Sequence, residues 1–549
     1  MKNHAQEFIR RLSKNTNDDF FTEKNFYKLK NEFSSEFTVS NLRNIDLIEA
    51  YRELISSGEI EKNTKLERLI SRRKIRSESG VSVITCLTKP FACPGKCVYC
   101  PTEPNMPKSY LSNQPAAMRA VLNKFDPFNQ VQNRLSSLMV TGHDPSKVEI
   151  IIIGGTWSFL PQDYQEEFIQ DVYNGLNQKI DKNDIDKTGN FFKVPTIEKH
   201  ENLSLEEALL KNETADHRCV GMTLETRPDF ITVDEVKRFR KYGCTRVELG
   251  VQSLDDKVQE ITKRGHNTET VRKATQLLRD AGFKIAYHLM PGLPGSNLEK
   301  DMKTVRDAFT DPDFLPDLVK FYPCMVTKFS ELEEIWKAGN FTALTDEDLK
   351  PLLLEMKKLV PRYTRITRLI RDIPSESITA GCKTINLRQL IHNDMKKKNI
   401  LCNCIRCREI KADEILEKNI EMKRLNYKAN HGDEIFLTFD ETEKDKLISL
   451  LRLRIPSQYF TKEKHFLEEL EGCALIREIH TYGLHTIVGD STGNSQHFGF
   501  GRKLLAEAER IAKDEYGMKK MAVIAGTGVR EYYRKFGYEL EGTYMVKNL

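Results

Sequence analysis

Three thiols stand at Cys93, Cys97 and Cys100 in the stretch Cys93-Pro-Gly-Lys-Cys97-Val-Tyr-Cys100, a C-x3-C-x2-C spacing that follows a β-branched run and precedes a Pro-rich loop. Thiols at such spacing bind metal. The chain has 12 cysteines, and its first residues lack the apolar segment of a secretory signal. A reducing cytoplasm is therefore expected, where cysteines ligate metals rather than pair as disulfides. An iron–sulfur cube is ordinarily held by four protein thiolates, so three close thiols leave one iron open to a small-molecule ligand. The alternative is a structural zinc knuckle, which would take a fourth ligand nearby; Cys86 is available, at a spacing that suits no common zinc module. A second run, Cys402-Asn-Cys404-Ile-Arg-Cys407, reads as a zinc site. Its fourth ligand would be Cys382, Cys324, His392 or water, with a second iron–sulfur cluster as the weaker reading. Cys219, Cys244 and Cys473 lie in apolar surroundings and are expected in the core.

A different chemistry is written in Gln496-His-Phe-Gly499-Phe500-Gly501-Arg502, which opens the helical pattern 503–513. Glycines let successive backbone N–H groups converge, and the helix N-terminus adds partial positive charge, so Q-x-x-G-x-G is an anion cradle fit for a diphosphate. A simple helix cap is the plainer reading of the same turn.

Positioning these groups falls to an α/β framework. Strand candidates at 81–87, 148–153, 219–224, 246–251, 284–289 and 318–322 alternate with helical patterns, which argues for a parallel sheet. Gly154 and Gly155 follow the second candidate, and Glu225 and Arg227 follow the third. Arg246, Glu248 and Gln252 share one face of the fourth, as site residues or as a paired polar layer filling a barrel. A charged insertion at 175–215 carries a short helix with Ser204 and Glu207 at capping-box spacing. Residues 1–75 read as charged helices without a core of their own, ending in the basic run 71–76. Residues 326–430 read as helical and basic: Arg362, Arg365, Arg368 and Arg371 would form a cationic stripe on a helix, and Lys396–Lys398 add to it. From 431 to 549 the pattern returns to strands, so four regions are expected: 1–75, 76–325, 326–430 and 431–549. The formal charge of +5 says little at this length, whereas the local basic clusters suit RNA. No apolar run approaches the ~18 residues of a membrane span.

The three-cysteine spacing, with the aromatic Tyr99 before its last thiol, resembles the radical S-adenosylmethionine (SAM) superfamily. That resemblance implies an incomplete (βα)6 barrel with chemistry at the C-terminal mouths of the strands. It also implies a [4Fe–4S] cluster on Cys93, Cys97 and Cys100 whose open iron binds SAM and splits it to a 5′-deoxyadenosyl radical, with Gly154 and Gly155 holding the SAM amino group. The order of strand, Q-x-x-G-x-G helix, strand 521–525 and aromatic helix ending in Phe536-Gly-Tyr538 is similar to the α+β fold of GNAT acetyltransferases. By that likeness Glu478, Ile479, His480 and Thr481 bond the acetyl-CoA arm through backbone. Gln496, Gly499, Phe500, Gly501 and Arg502 cradle its diphosphate, and Tyr533 sits near the thioester.

The two halves together resemble one family, the catalytic subunits of Elongator, which are tRNA wobble-uridine acetyltransferases. The likeness runs from about residue 75 to 549 and includes Pro115-Ala-Ala-Met-Arg-Ala120, Glu225-Thr-Arg-Pro-Asp229, Glu248-Leu-Gly-Val-Gln-Ser253, Arg371-Asp-Ile-Pro374, Asn386-Leu-Arg388, Leu450-Leu-Arg-Leu-Arg454 and Tyr532-Tyr-Arg-Lys535. It implies that the acetyl methyl of acetyl-CoA is joined to C5 of the wobble uridine in a tRNA anticodon stem-loop, leading to a carboxymethyl group. Lys147 and Tyr533 would act on acetyl-CoA. The compact x3 gap between the first two cluster cysteines departs from eukaryotic members and points to a prokaryotic single-chain form. The rival reading is a protein lysine N-acetyltransferase of the histone type with a structural iron–sulfur domain. The sequence leaves open a homodimer, accessory subunits, the electron donor and the choice of tRNAs.

Overall fold

The computed structural model describes residues 2–15, 20–37, 42–70, 80–180, 196–384, 386–410, 419–482 and 499–549. The basic run 71–76, residues 181–195 of the charged insertion and Gln496 lie outside them. Six strands appear where the sequence places them: β1 (Ser82–Leu87), β2 (Lys147–Ile153), β3 (Arg218–Thr226), β4 (Arg246–Gln252), β5 (Lys284–Leu289) and β6 (Leu318–Phe321). After the short β7 (Val326–Thr327), β8 (Arg365–Arg368) adds a seventh strand beside β6, and β7 pairs with β9 (Ile378–Ala380). The main sheet runs β1-β2-β3-β4-β5-β6-β8, every neighbour parallel. Helices pack on its outer face, where Ile150 and Leu249 of the strands share one core with the helix residue Val172. β1 and β8 do not pair, so the barrel stays open on one side.

The strand β8 corrects the expected arginine helix. Arg365–Arg368 is extended because the parallel edge of β6 offers it a ladder. The acids missing from its own neighbourhood come from elsewhere in the chain. Arg362 meets Asp445 at 2.5 Å and Asp440 at 3.3 Å, and Arg365 meets Glu409 at 2.5 Å. Ser204 and Glu207 do form their capping box on the helix Leu205–Asn212.

The N-terminal helices also depart from expectation. α1 (Lys2–Ser13), α2 (Glu23–Glu36), α3 (Asn44–Ser56) and α4 (Thr64–Ile70) bury a cluster of their own, with Phe8, Phe33, Leu47 and Tyr51 each at most 4% exposed. Its apolar residues are spread thinly through four charged helices, so the core exists only once they assemble. Arg52 ties the bundle to the barrel by donating to the Met139 carbonyl at 2.9 Å.

The C-terminal sheet is mixed, in the order β10-β11-β12-β13-β14-β16-β15. Its strands are β10 (Ile420–Ala429), β11 (Gly432–Glu441), β12 (Lys446–Ile455), β13 (Cys473–Thr481), β14 (Lys520–Val523), β15 (Glu539–Glu541) and β16 (Tyr544–Asn548). β10 belongs to a span expected to be helical; Asn430 and His431, at φ +43° and +61°, turn it back on β11 as a two-residue hairpin. Among the described residues no helix is long and apolar enough to cross a membrane.

The C-terminal sheet docks on the N-terminal ends of the barrel strands. Gly526 lies so close to the start of β3 that a Cβ there would stand 2.3 Å from the Val220 carbonyl. The Arg477 guanidinium donates to the Phe283 carbonyl at 2.8 Å, just ahead of β5. Around this contact lies a buried ionic lattice. Arg477 bonds Asp317 at 2.7 Å and Glu434 at 2.8 Å, Arg452 lies 3.3 Å from Asp317, and Arg454 bonds Asp280 at 2.6 Å. All six side chains are at most 1% exposed. Asp280 and Asp317 come from the barrel and the three arginines from the other sheet, so the pairing itself is the docking contact.

Candidate active site

One cavity of about 1290 Å³ runs through the molecule, lined by both halves. At the C-terminal ends of the barrel strands it meets the three thiols. Cys97 accepts from Arg264 at 3.4 Å, Cys93 faces the Thr156 hydroxyl at 3.8 Å, and the Gly95 amide points at the Cys93 sulfur at 3.4 Å. The Cys100 thiol donates to Cys97, which together with the Arg264 cation brings the Cys97 thiol down to about 4 against the opposing effect of burial. A thiolate in such a setting is a metal ligand. Cys97 and Cys100 are close enough to bond, yet the three rim sulfurs do not all lie within 4.8 Å of one another, whereas those of Cys402, Cys404 and Cys407 do. The first set suits a multi-iron cluster and the second one tetrahedral ion, whose 2.3 Å thiolate bonds place sulfurs ~3.8 Å apart.

Gly154 and Gly155 follow β2 at φ +144° and +101°, in the region side chains rarely adopt. A Cβ on Gly154 would stand 1.9 Å from the Thr88 hydroxyl, which is itself buried without a partner. Gly154→Ala is expected to cost about 1–3 kcal/mol through backbone strain and overlap and to weaken SAM binding at least tenfold. Equilibrium dialysis with SAM checks it; unchanged affinity would remove Gly154 from the site.

Between the ends, polar side chains pair across the barrel. Glu248 bonds Lys320 and, at 2.9 Å, His288 Nε2; His288 Nδ1 lies 3.6 Å from Glu225, which accepts from the Tyr110 hydroxyl at 3.0 Å. Burial would raise the Glu248 carboxyl, but Lys320, His288 and Arg246 hold it well below the usual range. The paired layer of Arg246 and Glu248 is present, and it lines the cavity. Tyr110, Arg264, His288 and Lys320 escaped the sequence reading. His288 and Lys320 left a signal, as polar residues inside buried parallel strands that otherwise read as near-continuous apolar runs.

At the N-terminal ends stand Lys147, Glu478, Ile479, His480, Thr481, Gly499, Gly501, Arg502 and Tyr533, all lining the same cavity. β13 pairs with β14 only from Cys473 to Ile476 and with β12 up to Thr481. Among the described residues no strand pairs with its other edge from Arg477 to His480, the kind of edge along which an extended ligand bonds through backbone. Gly499 caps the helix Phe500–Arg510, whose first turn carries no acid. The Phe500 side chain turns into the core against Phe439, with ring centroids 4.7 Å apart. Burial pushes the Tyr533 phenol up and the Lys147 ammonium down. Burial also lowers the His480 imidazole to about 4. Glu478 is pulled down to about 2 by Lys284 and Arg452 despite its burial.

Cys402, Cys404 and Cys407 sit outside the cavity, and among the described residues no fourth His, Cys, Asp or Glu joins them. Cys324 is buried in another cluster, and Cys382 is bonded near Asp346 and Thr384. The knuckle straps the two sheets together. Ile405 N–H donates to the Thr364 carbonyl at 3.0 Å beside β8, Ile410 N–H to the Leu447 carbonyl at 2.8 Å on β12, and Arg408 to Asp440 at 2.6 Å. Cys404→Ser is expected to take zinc from about one equivalent per chain to near zero without touching the iron, as read by elemental analysis. Retained zinc would place the ion elsewhere.

The half-open barrel with three thiols at its C-terminal rim defines a radical SAM protein. The profile "Radical SAM superfamily" matches residues 87–308 and "Radical_SAM C-terminal domain" matches residues 316–397. The tRNA uridine(34) acetyltransferase of Methanocaldococcus infernus is 41% identical over 511 residues, 90% of this chain and 91% of that one. Elongator complex protein 3 of Saccharomyces cerevisiae is 38% identical over 499 residues, 87% and 85% of the two chains. The solved structure of the archaeal Methanocaldococcus infernus Elp3 with N-terminus deletion superposes with a TM-score of 0.71 at 39% identity, covering 86% of this chain and 100% of that one. The chain belongs to the tRNA uridine(34) acetyltransferase family, that of Elongator complex protein 3.

Proposed function

We propose that the protein joins the two carbons of the acetyl group of acetyl-CoA to C5 of uridine 34 in tRNA, using SAM, as a step toward a carboxymethyl group. The single observation that carries this reading is the shared cavity: the thiol rim and β13 from Glu478 to Thr481 line the same space. C5 of a uracil ring is a poor partner for ordinary acyl transfer. A SAM-loaded [4Fe–4S] cluster on Cys93, Cys97 and Cys100 supplies one-electron chemistry able to activate an unreactive C–H bond.

The chain's own residues do the rest. Arg264 neutralises the thiolate rim, the Gly154–Gly155 turn admits the SAM amino group, and the edge at Glu478–Thr481 holds the acyl arm. Arg371 and Arg406 line the cavity near the open side of the barrel, where an anionic backbone can approach while a base is turned out of its stack.

Amine acetylation is less well served. A lysine acceptor needs a general base near the thioester, and Glu478, held at about 2 between Lys284 and Arg452, is too weak a base for that. The deciding experiment follows radiolabel from acetyl-CoA with tRNA or a basic peptide as acceptor, under anaerobic conditions with SAM and reductant. Label in tRNA is expected. Transfer to peptide that ignores both tRNA and SAM would overturn the proposal in favour of a lysine acetyltransferase.

A further inference from the structure

The radical end and the acyl end of the cavity lie at opposite ends of the barrel strands. At a rise of ~3.3 Å per residue, the cavity-lining row on β2 from Lys147 to Ile153 separates them by ~20 Å. Groups anchored at the two ends do not meet unless one reaches inward. The space between them has two unlike walls. Val83, Thr85, Ile151 and Ile153 form an apolar one, with Val83 39% exposed inside the molecule. Arg246, Glu248, His288 and Lys320 form the other, and their charges are spent on one another and on Glu149, which Arg246 meets at 2.5 Å. Arg246 is only 7% exposed, and its Nε lies 3.9 Å from Glu248 Oε1.

An apolar wall facing a self-neutralised one does not suit a phosphate, which would need unpaired cations. It suits a neutral chain of amides and methyl groups. The volume, beyond the ~300–1,000 Å³ of a single-ligand site, leaves room for such a chain beside a nucleoside.

Building on the function proposed above, we propose that the barrel interior is an acyl-arm conduit. The acetyl-pantetheine chain enters past Lys147 at the N-terminal ends of the strands and lies between Val83 and Ile151 on one side and Arg246 on the other. The acetyl carbon is thereby delivered at the level of Glu149 to Ile151, inside the barrel rather than at its mouth.

The test uses full-length protein loaded with its cluster, which shields the rim thiols, and bromoacetyl-CoA as probe. Val83→Cys and Ile151→Cys place a thiol in the conduit. Leu210→Cys, on an outer surface where the leucine is 68% exposed, is the control. A thiolate in reach displaces bromide and forms a thioether, located by peptide mass spectrometry. Alkylation at positions 83 and 151 is expected to run at least about tenfold faster than with bromoacetamide at equal concentration, because the bound reagent has a millimolar-scale effective concentration. Acetyl-CoA should suppress it, and position 210 should show no such preference. If the probe binds saturably and competes with acetyl-CoA, yet neither conduit position reacts faster than with bromoacetamide, the conduit is overturned and the acetyl-CoA reading stands. If no saturable binding is found, both fall. Cluster absorbance and circular dichroism of each variant establish that it is folded and loaded.

Discussion

Cys97→Ala protein, reconstituted with iron and sulfide without oxygen, is expected to leave uridine 34 unmodified in the presence of acetyl-CoA, SAM and reductant. Cys97 is the thiol held down by Cys100 and bonded by Arg264, so its loss removes a thiolate ligand that the fold has prepared. SAM cleavage to 5′-deoxyadenosine should fall below detection as well. Acetyl-CoA binding should change by less than about 0.5 kcal/mol, because the acyl end lies a barrel's length away and distant sites add independently. Nucleoside mass spectrometry of tRNA and calorimetry with acetyl-CoA read the two halves separately. Persistent modification of tRNA by this variant would end the radical assignment.

The second large effect concerns the contact between the halves. Asp317 is fully buried and accepts from Arg477 and from the Ile285 N–H at 2.9 Å, with Arg452 beside it. Asp317→Asn would leave two arginines short of countercharge in a dry interface. Breaking a buried pair in this way costs ~3–5 kcal/mol. The denaturant midpoint should fall accordingly, and the two sheets should lose their common unfolding transition.

The same carboxylate sets an acid limit. Burial would raise Asp317, but Arg477 and Arg452 hold its folded value well below the usual range, and Glu478 is likewise pulled to about 2. Both are acids depressed on folding. Their contribution is complete above the unfolded carboxylate values near ~4 and drains away as pH falls through that range toward the folded values. Melting temperature should therefore drop steeply from about pH 4.5 downward, and less steeply in Asp317→Asn. A flat profile between pH 5 and 3 would show that the lattice does not carry the interface.

Much of the chemistry was legible in the chain because it rests on local spacing. Cys93, Cys97 and Cys100 lie within eight residues, the Gly154–Gly155 turn directly follows β2, and Gly499 to Arg502 open a helix. Alternation and β-branched runs placed the six parallel strands for the same reason: each is an apolar segment that reads as strand on its own. The seventh strand was hidden, since Arg365–Arg368 is extended only because β6 presents an edge to it. The N-terminal core was hidden too, because Phe8, Phe33 and Tyr51 become a core only when four helices meet.

The sequence by itself determined which reactive groups the protein carries and what each is suited to bind. Tertiary structure alone decided how they face one another: the C-terminal sheet docks on the N-terminal ends of the barrel, so the acyl end and the thiol rim share a cavity from opposite sides. The physical reason is that this docking is set by charges remote in the chain. Asp280 and Asp317 meet Arg452, Arg454 and Arg477 across more than a hundred residues, and no local pattern pairs a buried acid with an arginine so far away.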